Sequence, residues 1–267
     1  MKKSLKEGEV SASYEPEKEV VTLTEEEKKE ALRVALNHKK AMIARENYFK
    51  KLREPVKYTL PNAEEFLEMV KNKGKETISR FVLDEENSEI YSLLALYFTQ
   101  DKKFESYSDV FSLKKGLLVS GDVGCGKTQL MELFRINPLQ SYYFMPCRNI
   151  SNEFKEKGTE ALKIFSGLIE NPTIVPQNNF GQRKLGWCFD DLGTEENATF
   201  FGDKRNPMAE IIQNRYENRS MNYYSTHITT NLTAEEIKSR YGSRVASRMR
   251  KMFNIISFPE GAKDRRK

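Results

Sequence analysis

Gly121-Asp122-Val123-Gly124-Cys125-Gly126-Lys127-Thr128 decides how this chain is read. It fits the pattern Gly-x-x-x-x-Gly-Lys-Ser/Thr of a phosphate-binding loop. A short apolar run, Gly116–Ser120, precedes it, and a helical pattern opening at Gln129 follows. That strand–loop–helix context is what the pattern requires. Backbone N–H groups must curl around phosphate oxygens, and Gly121, Gly124 and Gly126 permit the curl. Asp122, Val123, Cys125 and Gln129 complete the expected nucleotide contacts. Lys127 can reach the terminal phosphates, and the Thr128 hydroxyl can hold Mg²⁺. Cys125 lies beside Lys127 and a helix start, two features that favour a thiolate. The plainer alternative is a small residue present for fit.

Working outward, the chain alternates strand and helix. Strands are predicted at 116–120, 141–145, 185–190, 224–230 and 253–258. Helices are predicted after Ser151 with a break at Gly158, from Pro207 to Asn218, from the capping box Thr233–Glu236 to Gly242, and over 243–252. Alternation of this kind implies an α/β fold with a parallel five-stranded sheet covered on both faces. Upstream, Asn62 should cap a helix carrying Phe66, Met69 and Val70 inward, and 88–98 should be another helix.

The strand at 185–190 ends in Asp190-Asp191, which places two carboxylates at the sheet edge where open α/β sheets bind ligands. Asp190 is the expected Mg²⁺ ligand, through water. Asp191 is the expected general base for an attacking water. Asn231 ends the next strand, where its amide could orient that water or simply begin a turn. Arg244 and Arg248 are four apart and share a helix face opposite Val245, Met249 and Met252. They read either as a solvated face or as cations reaching a phosphate on a neighbouring subunit.

Together these residues resemble the AAA+ ATPases of the ASCE class of P-loop NTPases. Within them they resemble the DnaC-type helicase loaders and their relative IstB. Gly121–Thr128, Phe189–Gly193, Thr229–Glu236 and Tyr241–Met249 carry the likeness, from about Lys114 onward. The resemblance implies ATP and Mg²⁺ as cofactors, Asn231 as the residue sensing the terminal phosphate, and Arg248, then Arg244, as the arginine finger. It implies an ATP-dependent homo-oligomer of the phage or mobile-element type, a replicative helicase as partner, and action on single-stranded DNA. The residues after Lys127 suffice for the nucleotide sheet alone, so no C-terminal lid domain is expected. An IstB-like transposition helper, a monomeric nucleotide kinase and a nucleotide-switched adaptor are the competing readings.

Residues 61–267 are expected to form the ATPase core. Residues 1–60 are expected to form a polar, disordered tail and a helical extension. About 30 residues from Thr24 to Arg53 would make a helix of roughly 45 Å, either packed on the core, solvated, or serving as a docking arm. The net charge of +5 is modest, but Lys238, Arg240, Arg250 and Lys251 crowd the two arginines, and Lys263, Arg265, Arg266 and Lys267 follow. Such runs are usually solvated, and DNA phosphates are the alternative. Tyr142, Tyr143, Phe144, Tyr223 and Tyr224 are available for base stacking, though several should be core. Three cysteines, an odd number without paired spacing, argue against a disulfide framework and for a reducing compartment. With no secretory signal and no apolar run of membrane-spanning length, a cytoplasmic protein without membrane contact is expected. The two histidines, His38 and His227, form no metal-ligand cluster.

Overall fold

The structure, a computed structural model, describes residues 22–53, 59–168, 180, 182, 185–218 and 222–266. The expected tail before Val21 and most of the 171–183 stretch lie outside the described residues, as does Lys267. The chain divides into two compact units, Met1–Glu54 and Pro55–Lys267.

The first unit is one helix, α1 (Glu25–Arg53). Thr24 and Glu27 close a capping box: the Glu27 amide donates to the Thr24 hydroxyl (3.3 Å) and the Thr24 amide to the Glu27 carboxylate (2.8 Å), satisfying two N-terminal donors reciprocally. Every side chain of α1 through Lys50 is exposed, Leu32, Leu36 and Ile43 included.

The second unit opens with α2 (Ala63–Thr77), capped by Asn62 and Glu65 in the same reciprocal way. It buries Phe66 and Val70, but Met69 is half exposed. The buried face follows Phe66, Val70 and Gly74, an i, i+4, i+8 stripe that leaves Met69 on its flank. Helix α3 (Ser88–Phe98) is buried along most of its length.

Then come β1 (Gly116–Ser120), α4 (Lys127–Leu133), β2 (Tyr142–Pro146), α5 (Cys147–Lys157), α6 (Thr159–Phe165) and β3 (Gly186–Leu192). They are followed by β4 (Ala198–Phe200), β5 (Asp203–Arg205), α7 (Pro207–Glu217), β6 (Thr226–Thr230), α8 (Ala234–Met252) and β7 (Phe253–Ser257). Five strands form one parallel sheet in the order β2-β3-β6-β1-β7. This is the expected α/β P-loop fold. Strand parity divides the core. Leu117, Val119 and Cys188 face a cluster with α2, α3 and α4, whereas Leu118, Phe189 and Ile228 face one with α5, α6, α7 and α8. Both faces are therefore apolar, as a covered parallel sheet demands.

Several predicted boundaries shift. The helix expected after Ser151 starts at Cys147, directly from β2, and breaks at Gly158 as foreseen. The strand expected from Tyr224 begins at Thr226, because a 3₁₀ turn occupies Tyr223–Ser225. An antiparallel hairpin of β4 and β5 stands between β3 and α7, where no strand was expected. At Gly242 the expected break is present: its φ of 87° and ψ of 159° are non-helical, open to glycine and disfavoured elsewhere, so α8 is two helical segments that meet there. Among the described residues, no helix is long and apolar enough to cross a membrane.

Candidate active site

The C-terminal ends of β1, β3 and β6 meet at one sheet edge, and a cleft of ≈ 630 Å³ opens there. Because β6 lies between β1 and β3, residues after β6 fall between the phosphate loop and the acids. The cleft is lined by Val123, Gly124, Gly126, Lys127, Thr128 and Gln129 from the loop and α4. Asp190 and Asp191 from β3 line it as well, and so does Asn231 after β6.

The loop holds Gly124 at φ 88° and Gly126 at φ 107°, left-handed conformations that let it curl. Lys127 is buried, and its ammonium donates to the carbonyls of Gly121 and Asp122, both at 2.8 Å. Those two bonds keep the cation within the loop, ready to exchange carbonyls for phosphate oxygens. Asp122 accepts the Gly261 amide at 3.0 Å through its carboxylate.

Asp190 is buried and takes three hydroxyl contacts. Thr128 Oγ1 lies 3.1 and 3.2 Å from its two oxygens, and Thr229 Oγ1 lies 2.5 Å from Oδ1. Parity explains the convergence: Asp190 shares the α4 side of β3 with Cys188, and Thr229 shares that side of β6 with His227. Burial holds the Asp190 carboxyl above its usual range; the neighbouring Asp191 charge adds to this, and the Thr229 and Thr128 hydroxyls oppose it.

Past Asp190 the register with β6 shifts, a bulge between Phe189 and Leu192. Asp191 occupies it with φ 54°, a region costly for most side chains but tolerated by Asp. Its amide donates to Thr229 Oγ1 at 2.9 Å. Thr229 thus clamps both acids at once, one through its proton and one through its lone pair. Thr229 lay within the motif read from the sequence, yet carried no assigned role. Its position near the end of β6, two residues before Asn231, was the available signal.

The oxygen donors suit Mg²⁺. A carboxylate and a hydroxyl meet beside a loop shaped for phosphates, and Mg²⁺ takes few protein ligands and keeps water and phosphate oxygens for the rest. A cation there would also relieve the unfavourable burial of the Asp190 charge.

Cys125 departs from the expectation of a favoured thiolate. The side chain is fully buried, and burial raises its pKa above the ordinary thiol value, outweighing the Lys127 charge. Its sulfur packs beneath Gly121, where an added Cβ would lie 3.1 Å away. The small-residue alternative therefore describes the site.

The two arginines of α8 separate. Arg248 is 9% exposed; it donates to Gln213 (2.8 Å) and Glu217 (2.6 Å) on α7 and lies 5.1 Å over the Tyr216 ring. Both reach Glu217, so the pair shares a helix face as expected, but Arg248 is buried on it and Arg244 is exposed. Arg244 has a side chain 75% exposed and approaches Glu217 at 3.9 Å. Neither lines the cleft. Lys238, Arg250 and Lys251 are exposed nearby. Of the aromatics, Tyr142 is core, its hydroxyl bonded to the Met131 carbonyl at 2.6 Å, and Phe144 lines the cleft.

Sequence reading also missed a buried carboxylate behind the acids. Glu195 accepts the Gly193 amide at 2.9 Å and the Tyr241 hydroxyl of α8, joining the segment after β3 to the arginine-bearing helix.

No protein-family model matches the chain, and no curated protein matches it. Among solved structures the chain is similar to one titled "Crystal structure of the DnaC helicase loader", with 19% identity and a TM-score of 0.43 over 68% of this chain and 95% of that one.

Proposed function

We propose that the chain is a Mg²⁺-dependent ATPase of the helicase-loader type, acting on single-stranded DNA. The observation that carries the ATPase reading is the linkage Thr128–Asp190–Thr229, which ties the phosphate loop, the acid strand and the strand between them into one polar unit.

In this reading Gly121–Thr128 and Gln129 wrap the phosphates, and Lys127 trades its loop carbonyls for terminal phosphate oxygens. Thr128 and Asp190 hold Mg²⁺, whose charge would offset that developing on the phosphoryl group. Asn231 holds a water for in-line attack, and Asp191 accepts its proton as the water oxygen bonds to phosphorus and the bond to the departing ADP breaks. An arginine from α8 of a second copy completes the charge stabilisation. The motif likeness of Thr229–Glu236 and Tyr241–Met249 supports the loader assignment, and the exposed basic residues of α8 favour contact with a polyanion.

The test is ATP turnover with Mg²⁺, with and without a single-stranded oligonucleotide, alongside a binding titration of labelled oligonucleotide in ATP. Stimulated turnover and ATP-dependent DNA binding are expected. Turnover indifferent to DNA, with no DNA bound, would leave an ATPase but remove the loader.

A further inference from the structure

Beyond β7 the chain doubles back over the phosphate loop. The Phe258 amide donates to the Ser120 carbonyl at 2.9 Å, continuing the sheet contact, and the Gly261 amide then reaches the Asp122 carboxylate at 3.0 Å. Asp264 lies against the loop so closely that a Cβ on Gly124 would sit 2.3 Å from its Oδ1. Arg265 makes the tightest engagement. Its amide donates to the Gly124 carbonyl at 3.0 Å and its Nε to the Cys125 carbonyl at 3.1 Å. Its terminal nitrogens form a fork on Asp84 at 2.9 and 2.8 Å and touch Glu86 at 3.2 Å. Lys263 adds a contact to Asp84 at 2.7 Å.

This strap has two consequences for the loop. A trans peptide points its carbonyl and the following N–H in opposite directions. Fixing the Cys125 carbonyl on the strap side therefore turns the Gly126 N–H the other way. The strap also delivers Arg266, the next residue, to the cleft wall shared with Lys127 and Thr128. Arg266 is exposed, its amide is fixed by the Asp264 carboxylate at 3.0 Å, and among the described residues its guanidinium has no ion-pair partner. Arg265, by contrast, spends its charge on Asp84 and Glu86.

We infer that Gly261–Arg266 is a strap that completes the nucleotide site in cis: Arg266 binds the phosphate chain of the nucleotide, and Arg265 is the positioning residue that holds both Arg266 and the loop carbonyls in place. The inference rests on the phosphate-loop reading and adds a nucleotide contact from outside every motif of the sequence.

The experiment is a fluorescence titration of the full chain with a labelled ATP analogue and Mg²⁺, on wild type, Arg266→Ala, Arg266→Lys, Arg265→Ala, the double alanine variant and Lys127→Ala, each checked for an unaltered melting profile. Arg266→Ala should weaken binding on the order of tenfold, the loss of one charge-assisted contact, and Arg266→Lys should fall between it and wild type. Arg265→Ala should weaken binding at least as much. The double variant should be no weaker than Arg265→Ala, because both residues act through one strap. Wild-type affinity in Arg266→Ala, with Lys127→Ala defective, overturns the strap while leaving the phosphate loop intact. Additive losses overturn the positioning role of Arg265. Unchanged binding in Lys127→Ala removes the phosphate-loop reading and the strap with it. Should Arg265→Ala fail to fold, the exposed Arg266 still decides.

Discussion

The Thr229 hydroxyl donates to the Asp190 carboxylate at 2.5 Å while accepting the Asp191 amide at 2.9 Å. One side chain on the strand between loop and acids therefore favours the charged form of one acid, against its burial, and fixes the backbone of the other. Thr229→Val keeps the shape and removes both bonds. A buried carboxylate left short of a donor costs about 1–3 kcal/mol, so the Asp190 carboxyl should rise further and compete less well for Mg²⁺. The expected outcome is near-normal nucleotide binding, a higher Mg²⁺ requirement in the turnover curve and a fall in kcat. An unchanged Mg²⁺ curve would reduce Thr229 to a packing residue.

Asp191→Asn separates binding from chemistry. The amide keeps the size and the unusual φ, which Asn tolerates as Asp does, but it cannot take up a proton. Calorimetry should give an ATP affinity within a few-fold of wild type, and turnover should fall by roughly 10²-fold or more. Loss of binding with normal turnover would exchange the roles of Asp190 and Asp191.

His227 gives the fold an acid-sensitive point away from the cleft. Its ring lies among Tyr97, Phe98 and Tyr142, and its Nδ1 accepts the Leu117 amide at 3.2 Å. Burial, then the Arg215 charge, pushes its pKa down to about 3. The unfolded chain protonates this histidine near pH 6.5, so between those values the unfolded state holds the extra proton and stability falls as pH falls. The contribution is complete above about pH 6.5, and roughly 2 kcal/mol of it is lost by pH 5. His227→Gln retains an acceptor without the titration. Urea melts at pH 7 and pH 5 should show a smaller acid loss in the variant; equal losses would place the sensitivity elsewhere.

The parts legible in the sequence are those with local rules. The phosphate loop, the helix caps at Thr24, Asn62 and Thr233, the Gly158 break and the acids closing β3 each follow from residues a few positions apart. Long-range relations were not legible. Nothing local says that Thr229 reaches Asp190, or that Arg265 finds Asp84, since these contacts exist only once the sheet order is set. Of the two readings open for Cys125, the thiolate fails because the nearby charge is visible in the sequence and the burial that outweighs it is not. The β4–β5 hairpin was missed because strands of three residues are too short to show a period of two.

The same limit governed the arginines, whose burial and pairing favour the opposite order. Arg248 is held by Gln213, Glu217 and Tyr216 of its own chain, so reaching a neighbour's phosphate would cost those contacts. Arg244, exposed and loosely paired, has no such cost. Arg248→Ala should therefore behave as a stability variant. The loss should be about 1–2 kcal/mol, kept modest because Glu217 is largely exposed, and should lower Tm by roughly 2–8 °C. Arg244→Ala should melt like wild type, bind ATP and hydrolyse it poorly. The defect of a finger acting in trans belongs to the neighbour's site, so mixing Arg244→Ala with Asp191→Asn should rebuild some complete interfaces, one subunit supplying the acid and the other the arginine. Turnover in the mixture, with both parents inactive, is the expected signature. Complementation by Arg248→Ala instead, with an unaltered melting curve, would make Arg248 the finger despite its pairing. No restoration by either, once mixed oligomers are demonstrated by crosslinking, would confine both arginines to their own chain and remove the shared active site from the proposal.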